Sequence, residues 1–151
     1  MGVQRKPVIY INNETFLQEI KKYIALREQA VVDCSDPPRV PDSIGSAIIQ
    51  IATRLATRHN FNGYTYKEEM VSDGILNALE AVDSFNPEKS SNPFAYFTQV
   101  IFWAFLRRIE KEKKEKKTRD DLMFDDYEGF TTQEGDDFAL DKSELYMFYH
   151  N

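Results

Sequence analysis

Residues 92–117 read NPFAYFTQVIFWAFLRRIEKEKKEKK, and how this stretch is read decides the fold. Up to Ile109 it is apolar and aromatic almost without pause and holds the chain's single tryptophan; from Glu110 onward every residue in it is charged. Asn92-Pro93 predicts a helix start. The asparagine side chain accepts from free backbone N–H groups, and proline at the first helical position gives up only an N–H that would have no partner. At 100° per residue, Phe97, Val100, Ile101, Ala104 and Phe105 share one side, which is expected to face a core. Tyr96, Gln99, Trp103 and Arg107 form a second stripe that leads into the lysine run. A core helix accounts for the first side and a solvated helix for the lysines. Neither accounts for the second stripe.

Working back toward the N-terminus, Thr65 and Glu68 have capping-box spacing and open a helix through Val71, Ile75, Ala78, Leu79 and Val82. HNFNGYTY, with Asn62-Gly63, reads as a turn before it. Preceding that turn, Asp42 or Ser43 is expected to cap a helix whose stripe is Ile44, Ala47, Ile48, Ile51, Ala52, Leu55 and Ala56, a clean helical period. The proline-rich segment DCSDPPRVPD links it to a first helix over residues 14–32, capped by Asn13, with Phe16, Leu17, Ile20, Tyr23 and Ile24 on one face. Only VIYI at residues 8–11 hints at a strand, so the fold expected is all-α. Three parts follow: residues 1–41 as N-terminal helix and linker, 42–117 as a compact three-helix domain, and 118–151 as a weakly structured acidic tail.

The 151 residues carry a formal charge of −6, unevenly spread. Residues 1–106 hold 10 basic and 12 acidic side chains, residues 107–119 hold 8 and 3, and residues 120–151 hold 1 and 10. A basic block between neutral and acidic ones predicts one local polyanion contact rather than a surface that coats DNA. No run is long enough for a membrane span, so no membrane partner is expected. The single cysteine, Cys34, suits a reducing cytosol. His59 and His150 lie far apart, and there is neither a glycine-rich phosphate loop nor Cys/His ligand spacing. No enzyme, metal or cofactor is therefore expected.

The second stripe suits nucleic acid. Aromatic rings stack on unpaired bases, an amide reads a base edge, and Arg and Lys neutralise phosphates. Arg108, Lys111 and Lys114 would extend it along the backbone. The competing account is that the aromatics serve packing and the lysines solvation.

Residues 44–116 resemble the second conserved region of sigma-70 family transcription initiation factors. The likeness lies in IIQIATRLATRHN, then KEEMVSDGILNALEAVDSF with its A-V-D-x-F ending at Ala81–Phe85, then PFAYFTQVIFWAFLRRI. No helix-turn-helix like the family's fourth region is expected after it. Together with NNETFLQEI, KEEMVSDGI and an apolar tip, the chain is similar to the late-transcription sigma factors of T-even-type bacteriophages. The resemblance implies a non-enzymatic promoter-specificity factor in the cytoplasm of an infected bacterial host, working without a cofactor.

Three sites are implied by it. Glu69, Ser72 and Asp73, with Glu68 and Asn77 nearby, match the family's contacts to the β′ clamp helices of core RNA polymerase. Tyr96, Gln99, Trp103 and Arg107 match its promoter DNA contacts at an A·T-rich element near −10. The chain departs from housekeeping factors here, which place two tryptophans where it has Gln99-Val100 and a glutamine where it has Trp103; Tyr96 and Trp103 are the candidates for the fork wedge. Leu145, Tyr146, Met147, Phe148 and Tyr149, on an acidic tether, match the tip that engages the phage DNA sliding clamp. A phage co-activator is an open further partner. The alternatives are a polymerase-binding adaptor or anti-sigma-like protein that reads no DNA, and a standalone DNA-binding regulator.

Overall fold

Four α-helices follow one another in the computed structural model, which describes residues 12–131, with side chains to residue 124. They are α1 (Asn13–Val32), α2 (Asp42–Ala56), α3 (Lys67–Val82) and α4 (Pro93–Thr131). Among the described residues no strand occurs, and the fold is all-α. VIYI at 8–11 and the apolar tip at 145–149 lie outside the described residues.

The helices form where periodicity places them, but three of their starts use other residues than expected. Asn12, not Asn13, caps α1: its backbone is extended and its side chain accepts from Glu14 N at 3.0 Å. Asn13, one residue inside, instead accepts from Phe94 N at 3.2 Å, while Asn92 Oδ1 accepts from Ala95 N at 3.0 Å. Two asparagines thus satisfy donors in the first turn of α4 and tie the starts of α1 and α4 together. Neither Asp42 nor Ser43 caps α2, because the helix begins at Asp42 after an extended Pro41; Ser43 Oγ donates to Glu19 Oε2 of α1 at 3.1 Å. The Thr65/Glu68 box does not form either, since α3 begins at Lys67 and Thr65 sits one residue outside its cap, Tyr66.

All seven residues of the α2 stripe are buried, as their period requires. On α4, Phe97, Ile101, Ala104 and Phe105 are buried and Ile109 joins them, while Val100 is only half-buried. The N-terminal helix docks on the same core: Phe16, Ile20 and Tyr23 are sealed, with Phe16 5.6 Å from Phe97 between ring centroids. Leu17 and Ile24 are half-buried beside them. On α3 the buried line is Met70, Gly74, Ala78 and Val82, so that Val71, Ile75 and Leu79 sit at its margin. The helix is turned because Gly74 faces α4: a Cβ there would lie 2.6 Å from Phe105 Cε1 and 2.9 Å from Ile101 Cγ2. Gly63 takes φ +96°, as the Asn62-Gly63 turn demands, yet neighbouring Phe61 is core, edge-on to Phe105 at 5.2 Å.

Within A-V-D-x-F, Val82 and Phe85 are buried. Asp83 reaches α1, where it pairs with Arg27 and accepts from the Tyr23 hydroxyl at 3.4 Å. Burial, and then the Asp83 charge and hydrogen bond, push the Tyr23 pKa above its ordinary value of 10.0. A raised folded pKa means that the native state keeps a proton which the unfolded chain loses. The associated stability is complete below about pH 10 and is lost as pH rises through the folded value. Tyr23→Phe is expected to flatten the alkaline fall of the melting temperature relative to the wild type; identical slopes above pH 10 would reject this clasp.

α4 does not stop at Lys117. No glycine or proline occurs between Pro93 and Gly129, and Lys and Glu are strong helix formers, so helix continues where weak structure was expected. The chain divides into two compact units, Met1–Glu110 and Lys111–Asn151, each considered by itself below.

Candidate nucleic-acid interface

The buried side of α4 leaves its second stripe pointing outward. Tyr96, Gln99, Trp103 and Arg107 recur at three- and four-residue steps and span about 16 Å at 1.5 Å per residue, the length of several stacked bases. Trp103 is 52% exposed, with one edge braced by Phe102 at 5.9 Å. Phe102 in turn packs edge-on to buried Phe61 at 5.6 Å, so the exposed indole is carried on the core itself. Gln99 is exposed. Tyr96 differs: it is half-buried and edge-on to both Phe85 and Phe97 at 5.1 Å. Its ring serves packing and keeps only part of its surface for a ligand.

The α3 residues form a second surface. Glu68 and Glu69 occupy the first turn and are exposed, as is Ser72 one turn on. Leu76, which the sequence pattern did not single out, lies one turn beyond Ser72 and is 57% exposed. Its signal was an isolated leucine between polar positions of that face. An acidic helix face with one exposed apolar side chain suits a basic, partly apolar partner.

Asp73 and Asn77 are placed differently from the other acidic-face candidates. Asp73 holds the guanidinium of Arg108 in a fork, with Arg108 Nε to Oδ2 at 2.5 Å and Nη2 to Oδ1 at 2.9 Å. Asn77 Oδ1 accepts from Arg107 Nη2 at 2.9 Å, and Asn77 Nδ2 donates to the Asp73 carbonyl at 2.7 Å. Residues assigned to separate partners are therefore joined in one network. Arg108 follows the buried side of α4 toward α3, and its side chain is only 18% exposed. Arg107 remains exposed at the end of the stripe. A half-covered, two-pronged ion pair of this geometry contributes about 1–3 kcal/mol, more than an open surface pair.

Lys111 and Lys114 belong to the second unit and are exposed, with Lys111 Nζ 3.9 Å from Glu115. The five tip residues at 145–149 lie outside the described residues. Among the described residues no group of histidine, cysteine, aspartate and glutamate is placed to hold a metal ion, and no helix is long and apolar enough to cross a membrane.

Residues 46–115 match the family model of sigma-70 region 2, a transcription-factor domain and not an enzyme family. The match covers most of α2, all of α3 and the part of α4 that carries the stripe. No curated protein matches the chain. The match supports a sigma-factor-like role in RNA polymerase binding and promoter melting.

Proposed function

We propose that the chain, whose residues 46–115 form a sigma-70 region 2 module, is a promoter-specificity factor with two working faces. The α3 face, through Glu68, Glu69, Ser72 and Asp73, docks on the clamp helices of the β′ subunit of core RNA polymerase. The α4 stripe captures bases of an A·T-rich −10-type element as the strands part. Catalysis belongs to the polymerase. The observation that carries this reading is Trp103, a large aromatic left 52% exposed on a helix whose other side is sealed. Stacking a base on an aromatic is worth about 1–3 kcal/mol, similar to the ~1.4 kcal/mol of a DNA stacking step.

The finer assignment is to bacteriophage late transcription in an infected bacterial cell, supported by the likeness of NNETFLQEI and KEEMVSDGI to those factors. Leu145, Tyr146, Met147, Phe148 and Tyr149 then act as a plug for the phage sliding clamp, supported by their apolar character behind Asp136, Asp137, Asp141 and Glu144. A clamp running on DNA raises the effective concentration of polymerase at the promoter. A net charge of −6 keeps the free factor off DNA until polymerase supplies positive surface.

Run-off transcription with core polymerase on a late-type phage template tests both levels. Discrete transcripts are expected only when the factor is added, and their absence would overturn the sigma assignment. Loading the phage clamp is expected to stimulate them, and deleting residues 144–151 to abolish that stimulation while basal initiation remains. Stimulation that survives the deletion would remove the clamp role.

A further inference from the structure

We propose that Asn77 of α3 is a positioning residue for DNA: its side-chain amide holds the guanidinium of Arg107 at the end of the aromatic stripe, where a backbone phosphate can reach it, and leaves its charge intact. This rests on the promoter role read for that stripe. It moves to the DNA face a residue that the sequence resemblance placed on the polymerase side. The amide can be held in one way only. Asn77 Nδ2 donates to the Asp73 carbonyl of its own helix at 2.7 Å, and a carbonyl oxygen only accepts. Oδ1 is therefore the end turned to α4, where it accepts from Arg107 Nη2 at 2.9 Å. A guanidinium only donates, so the two bonds together fix the amide between them. The support beneath is firm: Gly74, one turn before Asn77, lies close against Phe105 and Ile101, both completely buried.

The chemistry of the acceptor matters. Arg108, the next residue, is gripped by the Asp73 carboxylate, which offsets its charge. Arg107 pairs with no carboxylate among the described residues, and there its side chain uses Nη2 alone. It is exposed and keeps most of its N–H donors for a phosphate. An untethered arginine would surrender the freedom of a long side chain at the moment DNA binds, and Asn77 removes part of that loss beforehand. Arg107 follows Trp103 by four residues, about 6 Å along α4, so the cation held by Asn77 lies beside the indole platform.

The test uses holoenzyme assembled from core polymerase and the full chain, with a fluorescent forked A·T-rich duplex read by anisotropy across a salt series. Asn77→Ala is expected to weaken fork binding about two- to tenfold, the cost of ordering one long side chain on binding. Asn77→Ser, whose hydroxyl still reaches the Asp73 carbonyl but is too short for Arg107, is expected to lose as much. In an Arg107→Gln background neither substitution should weaken binding further, since the group being positioned is gone. Asn77→Asp is expected to lose more than alanine does. It should also flatten log affinity against log salt by about 0.7–0.9, because a carboxylate there claims the charge meant for one phosphate. Capture of core polymerase in a pull-down should equal that of the wild type. Circular dichroism establishes that each variant is folded, and Asn77→Ser stands alone if Asn77→Ala is not. Unchanged fork binding in the folded variants, or a loss that persists in full beside Arg107→Gln, overturns the positioning role. Reduced polymerase capture overturns it too, by returning Asn77 to the polymerase face. A wild-type holoenzyme that binds the fork no better than core polymerase overturns the promoter reading itself, so the two failures are told apart.

Discussion

Trp103→Ala is expected to reduce promoter opening by roughly 5- to 150-fold, the equivalent of about 1–3 kcal/mol of lost base stacking. Recovery of core polymerase should be unchanged, because the proposed polymerase contact lies on α3. The fold should also be unchanged, because an indole that is 52% exposed leaves no cavity when truncated. Permanganate reactivity of unpaired thymines in the holoenzyme complex measures the opening, and a melting curve of the free variant measures the fold. A wild-type footprint would reject Trp103 as a base platform. Trp103→Tyr, which restores a ring, is expected to recover much of the activity. Tyr96→Ala is a less clean experiment: the ring packs at 5.1 Å on both Phe85 and Phe97, so its removal lowers stability and opening together.

The largest effect on stability is expected at Gly74. Glycine inside a helix ordinarily costs about 0.5–1 kcal/mol against alanine, so a larger residue would be predicted to help. Here the first added carbon would meet Phe105 Cε1 at 2.6 Å and Ile101 Cγ2 at 2.9 Å. Both neighbours are completely buried, and Phe105 is held edge-on by Phe61 at 5.2 Å, so neither can move aside cheaply. Gly74→Val is expected to destabilise the bundle by about 3 kcal/mol or more, since overpacking outweighs propensity. At about 2–8 °C per kcal/mol for a chain of this size, the melting temperature falls by at least about 6 °C. Gly45 is the internal contrast. It lies in α2 with nothing within 4 Å of its would-be Cβ, so Gly45→Ala is expected to stabilise by about 0.5–1 kcal/mol. If Gly74→Val melted with the wild type, α3 and α4 would not approach as closely as they do here.

Much of the bundle was legible before any coordinates. The α2 stripe is buried residue for residue, because seven apolar positions at helical spacing leave one solution. On α4 the same arithmetic separated the buried Phe97–Ile101–Phe105 line from the outward Gln99 and Trp103. On α3, Ala78 and Val82 are buried as expected, but Val71, Ile75 and Leu79 lie at the margin, because the buried line passes through Gly74, which carries no apolar signal. Phe61 reads in the sequence as part of a turn, since its burial depends on Phe102 and Phe105, some forty residues away. Asn92 caps α4 as its Asn-Pro start implies. The starts of α1, α2 and α3 lie a residue or two from the expected caps, because there the local backbone and its hydrogen bonds decide rather than a periodicity.

What the sequence determined by itself is therefore the one-dimensional part: four helices, their apolar faces, and an aromatic stripe leading into basic charge. Such features arise from 3.6-residue periodicity and need only neighbours along the chain. Tertiary structure alone decided how polar groups are shared between helices. Asp73 meets Arg108 across 35 residues and Asn77 meets Arg107 across 30, and no local pattern marks either pair. A charged side chain finds its partner by position in space, so whether it faces a protein, a nucleic acid or its own fold is settled only when the helices have packed.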